Sequence, residues 1–460
     1  MYGQVESENF RGREVLAGVY RVLQLGVLLA GMLFFGELTL NVSEYCIVMV
    51  IYLLLLRLLN GIYGACSVGR FRVPELILSQ TLSNIFSLGA LYVGLALYCH
   101  KLWSIVPVLV VCVIQEIIGI LWTLLANKLY YKHYTAPRTV IVYGDETVLN
   151  LLYSTPFFLK KYDVCRTVYD PWDEIEDLEP QISDCEVIFA IDVSAKLANG
   201  IAKYCVENNK KGFFQPRIGH IILSGAEYVS SFSMPMLMVH RAGGKGTYQV
   251  IKRMFDVAAS LAGIVVTFPI MIVTAAAIKL EDHGPVFYRQ VRLTQNGREF
   301  SILKFRSMTV NAEKDGVARL AGENDSRITK VGRMIRACRI DELPQLFNIL
   351  MGDMSVVGPR PERPEIARQY EESLPEFRLR LQVKAGLTGL AQVYGRYNTD
   401  PYSKLRMDLM YINEMSLWND LNLIVATVKI LFVRESTQGI DQNQLTALPD
   451  VHLCESAKTI

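Results

Sequence analysis

Four apolar stretches crowd the front of the chain, at about Leu16–Gly36, Tyr45–Leu59, Leu76–Cys99 and Leu102–Leu125. At 1.5 Å per helical residue, each approaches the length needed to cross roughly 30 Å of hydrocarbon, the second only with help from its flanks. Inside a bilayer the backbone must satisfy its own hydrogen bonds, so spans of this length are read as helices. No small-residue cleavage site follows the first stretch, so it reads as a retained span and not a signal peptide. The whole chain agrees: of 460 residues, 51% are hydrophobic and 20% charged, which excludes a disordered chain and argues against a purely soluble one.

Charge placement orients these spans. Arg11 and Arg13 precede the first, Arg70 and Arg72 lie between the second and third, and Lys128, Lys132, His133 and Arg138 follow the fourth. The remaining connections, Glu37–Glu44 and His100–Lys101, hold only one lysine between them. The positive-inside rule then puts the N-terminus and everything after Lys128 in the cytoplasm. Glu116, inside the fourth span, is read as pairing with another helix in preference to carrying a function. Nine cysteines, odd in number and without a CxxC pair, fit neither a disulfide framework nor a zinc site, and point to a reducing compartment. A net charge of +2, from 47 basic and 45 acidic residues, gives no basic field for nucleic acid.

After Thr135 the pattern changes. Arg138–Tyr143 reads as a buried strand and Thr147–Leu152 as a helix, with further strands at Glu186–Ile191, His220–Leu223 and Met236–His240 and a helix at Ala195–Asn208. The alternation predicts a small parallel sheet of the Rossmann-like kind. Its nucleotide fingerprint is missing: the first strand runs into Gly144-Asp145-Glu146-Thr147, where a three-glycine loop would be needed and an acidic pair repels a pyrophosphate. The middle is therefore read as a degenerate α/β module with a regulatory or dimerising role, and a homodimer is expected. Arg241–Thr247 serves as its exit linker.

Met254–Leu280 is a fifth apolar stretch, with Asp256 near its start and Pro269 near its middle. Hydropathy alone favours a spanning helix kinked by the proline. A re-entrant hairpin, bent at Pro269 and returning to the same face, is the rival. Leu421–Val433 is too short to bring the chain back and contains Lys429; it suits an interfacial helix, with Tyr411 and Trp418 adding interfacial contact.

Beyond Gly284 the chain is dense in charge. Lys304, Arg306, Arg327, Arg336, Arg339, Arg360 and Arg363 surround the pair Asp341-Glu342, which stands just before Pro344 and a short helix. Guanidinium forks suit phosphate, and a carboxylate beside bound phosphates can hold a divalent cation or attack phosphorus. Taken alone, Asp341 and Glu342 would be a helix cap and a dipole partner. The arginines, and the Gly358-Pro359-Arg360-Pro361 turn that fixes one of them, favour an anion site.

Three runs in order carry a resemblance: Lys304–Met308 (KFRSM), Asp341–Leu346 (DELPQL) and Gly352–Pro361 (GDMSVVGPRP). From about Lys252 to Gln438 the chain resembles the bacterial sugar transferases, in the long form of the monotopic polyprenyl-phosphate phosphoglycosyl transferases. The resemblance implies a membrane protein of α plus α/β class: a four-helix transmembrane region (1–132), a degenerate Rossmann-like domain (133–242) and a mainly α-helical cytoplasmic catalytic domain (243–460) with a re-entrant helix at 252–280. It implies transfer of a hexose 1-phosphate from a UDP-sugar to undecaprenyl phosphate at the cytoplasmic face of the bacterial inner membrane, among membrane lipids, with release of UMP. Such a step starts an exopolysaccharide or O-antigen repeat unit. The chemistry implied is ping-pong: Asp341 attacks the β-phosphorus, and the polyprenyl phosphate then takes the sugar phosphate. Mg²⁺ would bridge the diphosphate near Asp341 and Glu342, while Lys304, Arg306, Arg336 and Arg360, with Arg327 added to the same anion site, would hold phosphates. Phe268 stands before Pro269 where the family often has serine. Gly386–Gly389 and Gln392 are divided evenly between a nucleotide or sugar pocket and plain structure. The resemblance also settles the fifth stretch: a hairpin keeps Asp341 on the side of a cytosolic donor, whereas a crossing helix strands it outside. A metal-assisted nucleotide-sugar hydrolase and a non-catalytic scaffold for polysaccharide assembly remain as rivals.

Overall fold

A computed structural model describes residues 12–35, 41–153, 158–170, 175–230, 234–241, 246–310, 325, 327–395 and 400–431. The chain divides into two compact units, Met1–Gln215 and Pro216–Ile460. The end of the expected Leu421–Val433 helix and residues 242–245 of the Arg241–Thr247 linker lie outside the described residues.

The first unit opens with α1 (Gly12–Phe35), α2 (Val42–Tyr63), α3 (Val73–Tyr98) and α4 (Val106–His133), each long and apolar enough to cross a membrane. Their outer faces are apolar and exposed, while their packed faces carry polar side chains that bond one another. Gln115 Nε2 donates to the Gln24 carbonyl at 2.9 Å and to Tyr52 Oη at 2.8 Å. Glu116 accepts from Thr81 Oγ1 at 2.8 Å and Asn84 Nδ2 at 3.0 Å, so α4 is bonded to α3 and the carboxylate is paired as expected. Without water to compete, such bonds hold apolar helices in register.

The rest of this unit is the α/β module: β1 (Arg138–Tyr143), α5 (Glu146–Tyr153), α6 (Phe158–Lys161), β2 (Asp163–Tyr169), α7 (Ile175–Ile182), β3 (Val187–Ile191), α8 (Ala195–Glu207) and β4 (Lys211–Phe214). The four strands run parallel in the order β2-β1-β3-β4. Side chains alternate along β1: Val140 and Val142 pack with Leu178, Leu197 and Ile201 on one face, and Ile141 packs with Leu149, Phe158 and Tyr162 on the other. Both faces are covered, which is why this strand reads as one continuous apolar run. At its end Gly144 donates its amide to Ile191 O, and a Cβ there would lie 2.2 Å from Asp192 O. The single glycine thus closes two strand ends together and leaves no open phosphate loop.

In the second unit, α9 (Ile218–Ser224) replaces the strand expected at His220–Leu223. Four residues, three of them apolar, cannot by themselves distinguish the two; the buried positions, Ile218 and Ile221, have helical spacing, and Asn413 Nδ2 donates to Ile221 O. There follow β5 (Glu227–Val229) and β6 (Met236–Met238), antiparallel, then α10 (Gly246–Asp282) and the ribbon β7 (Phe287–Leu293) with β8 (Glu299–Phe305). The remainder is α11 (Lys330–Ala337), α12 (Gln345–Met351), β9 (Ser355–Val357), α13 (Pro364–Ser373), β10 (Gly386–Thr388), α14 (Leu390–Tyr394), α15 (Pro401–Asn413) and α16 (Leu417–Ile430).

The segment read as a hairpin is one helical element, α10, with Pro269 inside it. Both of its ends are tied to the same body. Near the start, Arg253 donates to the Ile349 and Leu350 carbonyls at 2.7 and 2.8 Å, and Asp256 accepts from Ser355 Oγ and the Val356 amide. At the end, Glu281 accepts the Lys330 and Val331 amides of α11, and Met271 and Ile278 pack with Phe305 and Ile335. Tyr411, expected at the interface, is instead 2% exposed, and its hydroxyl donates to Asp420 Oδ1 at 2.8 Å, with Val357 O 3.1 Å away. Trp418 remains half exposed.

Candidate active site

The dyad sits where three elements meet. After α11 the backbone turns sharply at Arg339, whose φ of 53° is left-handed, into a 3₁₀ turn at Ile340–Glu342. A non-glycine residue in that region carries a strain that its surroundings must hold. Pro344 then stands at the N-cap of α12, which is only seven residues long. So short a helix contributes little dipole, and the positive field has to come from side chains.

It does. Lys304, at the end of β8, places Nζ 2.8 Å from Glu342 Oε1, and Arg360 Nη2 approaches the same oxygen at 3.1 Å. Arg339 Nη1 lies 3.8 Å from Oε2. Burial by itself would raise the Glu342 pKa, but Lys304, Arg360 and Arg339 outweigh it and hold this carboxyl far below the ordinary range. Asp341 moves the other way. Burial and the adjacent Glu342 charge push it up to about 6, against the pull of Lys304, Arg336 and Arg339. Burial also lowers Lys304, with Glu342 resisting. The two adjacent carboxyls are thus driven apart: Glu342 is held as the anion, while Asp341 is raised to about 6.

Of the other sequence candidates, Arg336 acts on Asp341 electrostatically. Arg327 is forked onto Asp325, at 2.9 Å from Oδ1 and 2.6 Å from Oδ2. Arg306 is buried and bonded to Asp282 at the end of α10. Arg380 was not singled out from the sequence: it donates to the Arg360 carbonyl at 2.9 Å and pairs with buried Asp408 at 2.8 Å and with Glu362 at 3.6 Å. Nothing local marks it, because its partners come from α15 and the segment after Arg360. The stretch Gly386–Gly389 has a structural use. Gly386 donates to Pro359 O and Gly358 donates to Thr388 O, which locks the Gly-Pro-Arg-Pro turn against β10.

Among the described residues no group of three or more His, Cys, Asp or Glu side chains is arranged to hold a metal. Two adjacent carboxyls suit a cation of the Mg²⁺ type, which takes one or two carboxylates together with substrate phosphates and water. The donor set therefore fits a cation that arrives with a diphosphate and does not fit a resident cage.

Comparison with known proteins bears on the same segment. The family described as bacterial sugar transferase matches residues 247–434. A UDP-glucose:undecaprenyl-phosphate glucose-1-phosphate transferase of Klebsiella pneumoniae is 41% identical over 46% of this chain and 45% of its own length. A UDP-N-acetylgalactosamine-undecaprenyl-phosphate N-acetylgalactosaminephosphotransferase of Aeromonas hydrophila is 42% identical over 40% of this chain and 44% of its own. A glucose-1-phosphate transferase of the first kind from Caulobacter vibrioides is 41% identical over 44% of this chain and 78% of its own. The chain thus spans less than half the length of the first two relatives and most of the third.

Proposed function

The chain belongs to the bacterial sugar transferase family, and from that premise we propose that it transfers a sugar 1-phosphate from a UDP-sugar to undecaprenyl phosphate, as the first step of a glycan repeat unit. The names of the relatives share the undecaprenyl phosphate acceptor and differ in the sugar, glucose in two and N-acetylgalactosamine in one. The common chemistry, a hexose-type phosphate passed to a lipid phosphate, is what carries over.

In this reading Asp341, ionised near neutral pH, attacks the β-phosphorus through a carboxylate oxygen. The bond from that phosphorus to the bridging oxygen breaks, and UMP leaves with the electron pair. A phosphate oxygen of the lipid then attacks the same phosphorus and displaces Asp341, so the sugar's anomeric C–O bond is never broken. Lys304, Arg336, Arg339 and Arg360 offset the charge of the phosphates, and Glu342, ionised throughout, keeps Lys304, Arg339 and Arg360 in place and raises the basicity of Asp341, which strengthens it as a nucleophile. When bound with the donor, Mg²⁺ would be held by Asp341 and Glu342 and would neutralise diphosphate charge. The observation that carries the reading is the division of the dyad: three cations gather on Glu342, while Asp341 alone is raised.

The finer topology belongs to the same proposal: α10 enters the membrane and leaves it on the cytoplasmic face. Its support is that α10 is packed on the same body at both ends, through Asp256 and Ser260 and again through Met271, Thr274 and Ile278, while Leu261, Val265, Val266, Phe268 and Ile270 between them are exposed.

Intact-mass analysis of enzyme quenched with UDP-sugar and no lipid tests the mechanism. The expected result is an added hexose phosphate that maps to Asp341 and vanishes when undecaprenyl phosphate is supplied. Product formation with no adduct at any quench time would point to direct transfer or to water as the nucleophile.

A further inference from the structure

Two of the three thiols of the α/β module, none of which the transferase chemistry uses, lie against each other. Cys165 and Cys185 are 20 residues apart in sequence, yet their Sγ atoms are 3.0 Å apart. That is about 1 Å beyond the ~2.05 Å of a disulfide bond.

The approach is built into the sheet. The pairing of β1 with β2 slips between Thr139 and Val140: their partners are Val164 and Arg166, which leaves Cys165 as the extra residue of a bulge. A bulge re-aims the side chain it carries. Here the Cys165 sulfur lies 3.2 Å from Thr139 O and beside Cys185, in the turn between α7 and β3. That turn is held from two directions. Lys210 Nζ bonds the carbonyls of Ile182 at 3.0 Å and Cys185 at 2.8 Å, as well as that of Ser183, and Arg138 pairs with Asp184 at 2.9 Å. The two sulfurs differ in access: Cys165 is exposed and Cys185 is 2% exposed. Burial, the neighbouring Cys165 and the Asp184 charge push the Cys185 thiol up to about 12, so the exposed partner meets an oxidant first.

We propose that Cys165 and Cys185 form a reversible redox pair that closes to an intramolecular disulfide when the protein meets a hydroperoxide. The Cys165 thiolate attacks the peroxide; the O–O bond breaks, sulfur is oxidised to the sulfenic acid, and the peroxide is reduced to water or an alcohol. The Cys185 sulfur then attacks the sulfenyl sulfur; the S–S bond forms, the S–O bond breaks, and the departing hydroxide takes the Cys185 proton to become water. A dithiol reverses the change. Closure ties β2 to the start of β3 across α7, in the module that lacks a nucleotide loop. Such transient pairs are compatible with a reducing compartment, where structural disulfides are not.

The experiment uses the full chain in detergent, treated with hydrogen peroxide, alkylated and mapped by peptide mass spectrometry. The expected result is a Cys165–Cys185 linked peptide lighter by two hydrogens. Alkylation at both sites is lost together and returns with dithiothreitol, while Cys205, buried in the same core, is unchanged. In C165S, an exposed position, Cys185 should stay unlinked and alkylate after unfolding as in untreated protein. In C185S, Cys165 should accumulate as a dimedone-reactive sulfenic acid. The proposal is overturned if wild-type Cys165 advances to sulfinic acid while Cys185 still alkylates, or if neither is modified under conditions that oxidise exposed Cys338.

Discussion

Lys304 Nζ lies 2.8 Å from Glu342 Oε1, a contact that helps to hold Glu342 ionised beside Asp341. Glu342 stays ionised among Lys304, Arg360 and Arg339, and its fixed negative charge, added to burial, raises Asp341.

If Asp341 is the nucleophile, exchange of labelled UMP into UDP-sugar without lipid should rise with pH through about 6, because the ionised form is the active one. Stability should run the opposite way. A raised carboxyl holds its proton more tightly in the folded chain, so its contribution is present below the ordinary carboxylate pKa and is lost as pH rises through about 6. D341N should therefore lose exchange by at least about 10³-fold, yet melt higher than the wild type at pH 8, with the gap closing near pH 4.

E342Q should move the acid limb of the exchange profile to lower pH, by about one unit. With the Glu342 charge removed, Lys304, Arg336 and Arg339 pull Asp341 down against burial alone. A limb that stays in place would assign the titration to another group. The rate at the plateau should also fall, since Lys304 and Arg360 lose their anchor.

G358A should disable the site with a smaller effect on the fold. A Cβ there would meet Lys384 O at 2.4 Å and the Gly386 amide at 3.0 Å, both backbone atoms that cannot rotate away. The turn must shift, and Arg360 with it. A stability loss of about 1–3 kcal/mol is expected, with an activity loss larger than the unfolded fraction explains, as measured by melting and exchange on one sample.

D420N tests a support remote from the dyad. Asp420 is fully buried and bonds Lys252 at 2.6 Å, Tyr411 at 2.8 Å and Tyr248 at 3.1 Å, which joins α16 to α15 and the start of α10. Losing its charge strands Lys252, at a cost of about 3–5 kcal/mol. The melting temperature in detergent should drop, while the fraction still folded keeps its pH profile.

Accessibility labelling of single cysteines placed at Lys128 and Gln438 should report both on the cytoplasmic side. Opposite sides would mean that α10 crosses and would remove the topology proposed above.

Much of this protein is local and therefore legible. The apolar lengths of α1–α4 follow from bilayer thickness, and β1 forms around the buried run Thr139–Val142, because both depend on hydrophobicity along a short window. The dyad and most of its cations were readable as motifs for the same reason. Which cation serves which carboxyl was not. Lys304 and Arg306 are two residues apart on one motif, yet one lies on Glu342 and the other is taken by Asp282. The strand expected at His220–Leu223 is a helix, Tyr411 is buried, and Cys165 meets Cys185 only through a bulge. Sequence fixes what charge or apolar surface a segment carries. Distance, burial and dielectric, on which the strength of each interaction depends, exist only once the segments have packed.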